Sequence, residues 1–178
     1  AVYGIIRYVI FVLGVTVSWW GTLVMILALV TCLVGIIYAL MERDIKKLLA
    51  YSSVENMGII LLGVGAAMFF IHAGIPAIAV LALVAGLYHA MNHAIFKGLL
   101  FLGAGSVYKA CGTRDLEKLG GLIKVMPQPA VVFLVGAVAI SALPPLNGFV
   151  SEWLTLQSLF IGALELTGGK QLFLGICA

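Results

Sequence analysis

The sequence predicts an all-α fold: a polytopic bundle of transmembrane helices, one of them discontinuous. Three observations lead there. Of the 178 residues, 63% are hydrophobic and only 10% are charged. A soluble domain carries about 25% charged residues, so this chain, with a mean hydropathy of +1.21, could not cover a water-facing surface. The apolar residues also come in runs long enough to cross a hydrocarbon core of about 30 Å, with the charges gathered in short loops between them. Lastly, one apolar run contains Pro144-Pro145 and, shortly after, Gly148, which a regular helix does not accommodate.

In chain order, Ala1–Val17 is apolar apart from Arg7, which either snorkels or pairs with a partner elsewhere. This run, 1–17, is short for a complete span and reads as the end of a truncated helix. Trp19–Met41 is a clear span, with Trp19 and Trp20 as an aromatic anchor. A polar stretch from Glu42 to Lys47 follows, its basic residues read as solvated anchors. Ser53–His72 is the next span, rich in glycine, and Gly74 and Pro76 mark a tight connection that leaves His72 interfacial. Ala77–Val107 is longer than a membrane needs. A polar loop, Lys109–Lys124, leads to Ala130–Gly162, broken near 144–148, and the tail is amphiphilic and uninformative. The whole, 1–178, reads as one transmembrane unit. A start on Ala1 rather than Met, and an end within an apolar stretch, read as a piece of a longer membrane protein.

Orientation follows from the basic residues. The loop after Met41 holds Arg43, Lys46 and Lys47, and the loop after Val107 holds Lys109, Arg114, Lys118 and Lys124. The connections around Gly14–Ser18 and Gly74 hold none. Alternating helices place the two basic loops, 42–52 and 108–126, on one side, and the positive-inside rule makes that side cytoplasmic. The net charge of +3 sits in these loops, without a basic stripe and interleaved aromatics, so nucleic-acid binding is not indicated.

His89, His93 and Lys97 lie inside the longest apolar run, four residues apart. Residues at that spacing share a helix face, and the trio spans about 12 Å along it. Burying a Lys there costs roughly 2.5–3.5 kcal/mol on insertion scales, and intramembrane ionisable groups usually face a polar pathway. Histidine exchanges protons near physiological pH, and a desolvated lysine also exchanges them readily. A row of such groups suits proton movement. The alternative is a polar cluster that only holds helices together. A metal site is a third option, but no carboxylate on that helix completes the pair of histidines. Gly86, Ala90, Ala94 and Gly98 form a small-residue row beside the titratable one, expected to permit close helix approach.

The break gives the second group of candidates. Leu143-Pro144-Pro145-Leu146-Asn147-Gly148 interrupts an apolar run, and Glu152 follows at the start of the next half-helix. Broken membrane helices are tolerated where they are buried in protein or line a wet cavity, and their freed ends often mark ion sites. Asn147 and Glu152 are therefore candidates, against the reading of a surface corner with Glu152 capping its helix. Glu55 is a further candidate, although Ser52-x-x-Glu55 also matches a capping box at a helix start. Cys32, Cys111 and Cys177 form no CxxC, so the sequence makes no case for a bound metal, haem or iron–sulfur cofactor; they read as packing residues.

Several stretches together resemble the proton-translocating, antiporter-like membrane subunits of respiratory complex I, Mrp antiporters and energy-converting [NiFe] hydrogenases. They are Arg43-Asp44-Ile45-Lys46-Lys47-Leu48-Leu49-Ala50-Tyr51-Ser52-Ser53, Tyr88-His89-Ala90-Met91-Asn92-His93-Ala94-Ile95-Phe96-Lys97-Gly98, Leu119-Gly120-Gly121-Leu122, and Ala142-Leu143-Pro144-Pro145 onward to Glu152. Ser53-Val54-Glu55-Asn56-Met57-Gly58 and Asn147-Gly148-Phe149-Val150-Ser151-Glu152 look most like the hydrogenase-4 and formate hydrogenlyase branch. The resemblance implies two inverted five-helix repeats, each with a broken helix, of which this chain holds most of the second. It places His89, His93 and Lys97 on the proton-path helix and makes Glu152 the terminal acid. The implied function is translocation of protons, with sodium as the other ion of the family, driven by redox chemistry in partner membrane subunits of an oxidoreductase complex. The chain itself would carry no redox centre or cofactor. A Mrp-type cation/proton antiporter subunit is the alternative. The expected location is the inner membrane of a prokaryote.

Overall fold

The computed structural model describes residues 2–178. An N-terminal helical segment comprises α1 (Val2–Gly4) and a π-helical stretch, Ile5–Val12. The main helices are α2 (Trp19–Met41), α3 (Ile45–Ala73), α4 (Pro76–Cys111), α6 (Pro127–Ile140), α7 (Asn147–Glu165) and α8 (Gly169–Cys177), with a short α5 (Leu122–Val125). Of these, α2, α3 and α4 are long and apolar enough to cross a membrane. Large hydrophobic side chains, among them Leu33, Leu40, Leu102 and Leu134, cover the outside of the bundle. The fold is that of a multi-pass membrane protein.

α3 is longer at its start than the apolar run from Ser53. Asp44 caps it, accepting hydrogen bonds from the amides of Lys46 at 2.9 Å and Lys47 at 3.2 Å. Lys46 and Lys47 therefore lie in its first turn, and the polar stretch is largely helical. Ser52 is in the helix interior, its hydroxyl donating to the Leu49 carbonyl at 3.2 Å. The capping-box reading of Ser52-x-x-Glu55 is thus incorrect, and Glu55 is free for another role. At the other end Gly74 takes φ +77°, the left-handed conformation that closes many helices, and the Ile75 amide bonds the Phe70 carbonyl at 3.0 Å. Pro76 opens α4 at a position where its missing N–H costs nothing.

Close approach of α2 to α3 depends on glycine. A Cβ at Gly35 would lie 2.5 Å from the Glu55 amide nitrogen, and one at Gly58 would lie 2.8 Å from the Ala28 carbonyl oxygen. The row Gly86, Ala90, Ala94 and Gly98 is not the α4 interface as a whole. Gly86 does meet α3 at Gly63, but Ala94 is exposed and Gly98 has nothing within 4 Å. The tail has a defined place: Leu174 and Cys177 of α8 are buried against Phe70 and Leu159, in the core formed with α2, α3 and α4.

Both basic loops lie at one end of the bundle. The Ile45 amide donates to the Arg114 carbonyl at 3.0 Å, and the Leu116 amide to the Arg43 carbonyl at 2.9 Å. Arg114 pairs with Asp44 at 3.2 Å and Arg43 with Glu117 at 3.0 Å. Arg43 is therefore part of a clasp rather than a solvated anchor alone. Partial burial works to raise the pKa of Asp44, but the Lys47 and Lys46 amides and the Arg114 guanidinium outweigh it and hold the carboxyl below its usual value.

Between α6 and α7 the chain leaves the helix over residues 141–146, where Ala142 takes a left-handed φ of 50°. Gly148 opens α7 directly against the Ala139 carbonyl oxygen, so any side chain there would collide with α6.

Candidate functional site

The inward face of α4 carries the polar residues that hydropathy alone would not place there. His89 is fully buried, and Asn92 and Lys97 are 3% and 5% exposed. Their partners come from α3 on one side and the first turns of α7 on the other, because α4 packs between these two helices.

His89 is held at both ring nitrogens. Nδ1 lies 2.8 Å from the Ser151 hydroxyl of α7, and Nε2 lies 3.1 Å from Asn56 Oδ1 of α3. Asn56 is fixed in turn by donating from Nδ2 to the Ser52 carbonyl at 2.9 Å. One turn further along α4, Asn92 donates to the main-chain carbonyl of Asn147 at 3.1 Å and accepts from the Asn147 side-chain amide at 3.0 Å. The start of α7 thus delivers Asn147 to the site.

Lys97 reaches α3. Its Nζ donates to the Leu49 carbonyl at 2.8 Å and to the Ser52 hydroxyl. Both acceptors are neutral. Among the described residues Lys97 forms no ion pair; the ion pairs found there gather at the loop end of the bundle. Glu55 is half-buried one turn after Ser52 and lies within Coulombic range of Lys97 and of Glu152. Lys97 is bonded only to dipoles while Glu55 acts on it from a distance, so a change of charge nearby acts on it through a low effective dielectric. A groove of about 420 Å³ between α2, α3 and α6 runs past Leu49, Ser52 and Glu55. It brings the outside of this bundle close to the two groups that hold Lys97.

His93 sits between His89 and Lys97 and is half-buried, with Phe96 edge-on at 5.6 Å. Its Nε2 is buried and has no hydrogen-bond partner. Glu152 is half-buried beside Ser151 and takes no part in the hydrogen-bonded cluster. The structure therefore joins His89 to α3 and α7 and Asn147 to α4, sets Lys97 against α3, and leaves His93 and Glu152 flanking the network. His72 is exposed at the end of α3, and Arg7 is exposed as well. No group of three His, Cys, Asp or Glu side chains able to hold a metal comes together among the described residues.

Sequence reasoning did not single out Asn56, Asn92 and Ser151, and took Ser52 only as a helix cap. The available signal was their chemistry: each is a hydrogen-bonding side chain in or beside an apolar run, where an unpaired polar group is costly.

The chain matches a protein family described as NADH:quinone oxidoreductase/Mrp antiporter, transmembrane, over residues 1–166. It is 56% identical over 142 residues to hydrogenase-4 component B of Escherichia coli K12, covering 80% of this chain and 21% of that one. It is 54% identical over 142 residues to formate hydrogenlyase subunit 3 of the same organism, covering 80% and 23%. It is 43% identical over 136 residues to one of the Na(+)/H(+) antiporter subunits of Alkalihalophilus pseudofirmus, covering 75% and 17%. The chain spans about a fifth of the length of these curated relatives.

Proposed function

The chain belongs to the NADH:quinone oxidoreductase/Mrp antiporter transmembrane family, and from that membership we propose that it forms part of a proton-translocating membrane subunit. The subunit works within a larger redox-driven complex of the energy-converting hydrogenase or NADH dehydrogenase-like type. The names of its relatives, a hydrogenase component and a formate hydrogenlyase subunit, support this choice. The chain contributes the proton path and no redox centre, so electron transfer belongs to partner subunits.

The observation that carries the reading is Lys97: an amine 5% exposed, inside an apolar helix and held by two neutral oxygens. An ammonium that only held helices together would be expected against a carboxylate, since an unpaired buried charge is costly. Here the two direct partners are neutral, and Glu55 acts on Lys97 only from a distance. In this reading Lys97, His93 and His89 are the relay along α4, Glu55 passes protons between the groove and Lys97, and Glu152 is the acid at the far end, next to the break that presents Asn147. Moving a proton between two of these sites changes the field at the next, which couples the steps. α6 and α7 act as the halves of one broken span. The loop clasp faces the cytoplasm across the inner membrane of a prokaryote.

A Mrp-type cation/proton antiporter subunit is the second reading, favoured by the likeness to the Alkalihalophilus pseudofirmus Na(+)/H(+) antiporter protein. One experiment separates the two. The full-length protein is assembled with its partner subunits in sealed vesicles, and internal pH and sodium are followed together. Proton movement that needs electron donor and acceptor, and persists without sodium, supports the first reading. Sodium–proton exchange without redox substrates supports the second. An intact complex that moves neither ion overturns both.

A further inference from the structure

We propose that Ser151 is a positioning residue: a hydroxyl switch that lets His89 change protonation state inside the bundle and reports that state to the first turn of α7. The proposal rests on the proton-path reading of His89 and deepens it.

The inference comes from counting hydrogens. Asn56 Nδ2 is committed to the Ser52 carbonyl, so its Oδ1 is the atom that faces His89 Nε2 at 3.1 Å. An amide oxygen only accepts. His89 Nε2 must therefore carry a hydrogen in every protonation state. A neutral imidazole has one N–H, which leaves Nδ1 as a bare acceptor. The hydroxyl of Ser151, 2.8 Å away, then has to donate to it.

Ser151 has one hydrogen and two other places to put it. Its Oγ lies 3.1 Å from the Asn147 carbonyl oxygen and 3.0 Å from that of Gly148. When His89 gains a proton, the Ser151 hydroxyl hydrogen passes to Nδ1, and Ser151 Oγ is reprotonated by a water, which loses its proton in turn. Nδ1 then donates to Ser151 Oγ, and the new hydrogen on Oγ points to a carbonyl of α7. Both states are fully hydrogen-bonded, so a buried histidine can cycle without leaving a polar atom unpaired. Serine hydroxyls often bond a carbonyl three or four residues back in a helix, as Ser158 does to Thr155 at 2.7 Å. Ser151 differs in having a titratable partner that competes for the same hydrogen.

The Ser151 hydrogen acts at the start of α7, just past the non-helical residues 141–146. The Asn147 carbonyl also accepts from Asn92, and Glu152 follows Ser151 directly. Among titratable groups His93, one turn along α4, acts on His89 directly; Lys97 acts on His93, and Glu55 on α3, Cys32 on α2 and Glu152 on α7 act on one another. Of these side chains none bonds an imidazole nitrogen of His89, which Ser151 and Asn56 occupy.

The test uses the full-length protein with its partner subunits in sealed vesicles, comparing wild type, Ser151→Ala, Ser151→Thr and His89→Gln. Proton translocation is measured across a range of pH, and ¹⁵N NMR of histidine-labelled wild type reads the tautomer. Neutral His89 is expected as the Nε2–H tautomer. Ser151→Ala is expected to lower translocation roughly tenfold, as losing one hydrogen bond to a charged group does, and to change the pH profile, while Ser151→Thr restores both. The Nδ1–H tautomer overturns the proposal, and that measurement decides even if Ser151→Ala fails to assemble. Normal rate and profile in Ser151→Ala, with His89→Gln inactive, removes Ser151 and leaves the proton path standing. Normal translocation in His89→Gln defeats the path and the switch together.

Discussion

Asn92 and Asn147 hold each other through two hydrogen bonds, one from the Asn92 amide to the Asn147 carbonyl at 3.1 Å and one from the Asn147 amide to Asn92 Oδ1 at 3.0 Å. The pair ties the middle of α4 to the first residue of α7. Position matters more than strength here: the pair fixes the start of α7, and therefore where Ser151 and Glu152 stand relative to His89.

Replacing Asn92 with Leu removes both bonds and leaves the Asn147 amide without its partner. A fully buried polar group left unsatisfied costs about 1–3 kcal/mol, and the half-buried Asn147 falls at the lower end. Thermal unfolding of the full-length protein in detergent should show a clear drop in midpoint. An unchanged midpoint would mean water replaces Asn92 without loss.

Gly35 and Gly98 make a paired test of helix packing. A Cβ at Gly35 would press on the Glu55 main chain, while Gly98 has open space around it. Gly35→Ala should destabilise by about 1–3 kcal/mol, the usual cost of overpacking, and disturb Glu55. Gly98→Ala should be neutral or stabilising, since Gly in a helix costs up to about 1 kcal/mol relative to Ala. Equal effects would contradict the packing described for α2 and α3.

The Asp44 clasp is sensitive to acid. Its carboxyl is held below the usual range, so the folded state favours the ionised form. That stabilisation is present above the unfolded carboxyl pKa of about 3.9 and is lost as pH falls through the lower folded value. Hydrogen exchange at the Lys46 and Lys47 amides should quicken in that window. Asp44→Ala should show fast exchange at neutral pH already. Protection independent of both changes would remove the cap.

Much of this was legible in the sequence, for a definite reason. Ionisable residues inside an apolar run have nowhere to hide, so His89, His93 and Lys97 declared one face of α4 before any packing was known. Pro144-Pro145 marked a stretch that no regular helix continues through, and the chain is non-helical over residues 141–146. The start of α3 was not legible, because Lys46 and Lys47 look like loop residues until Asp44 is seen capping them. Nor were the partners legible: Asn56 and Ser151 are 33 and 62 residues from His89 in the chain. Their meeting depends on the rotation of three helices about their axes, which a hydropathy pattern does not set when nearly every face is apolar. The same ambiguity made the Gly86–Gly98 row look like an interface.

Topology can be checked at the clasp. In the full-length protein with Cys111→Ser, which removes an exposed thiol, Lys118→Cys should react with a membrane-impermeant maleimide only from the cytoplasmic side. Labelling from the opposite side would invert the orientation drawn from the basic loops.

The most direct measurement replaces Lys97 with Met in the full-length protein and follows redox-driven proton uptake in vesicles, with assembly checked alongside. Methionine keeps much of the side chain's volume and removes its proton. The expected result is an assembled complex whose electron transfer no longer drives proton uptake. Wild-type uptake by an assembled Lys97→Met complex would contradict the central claim that protons pass through Lys97.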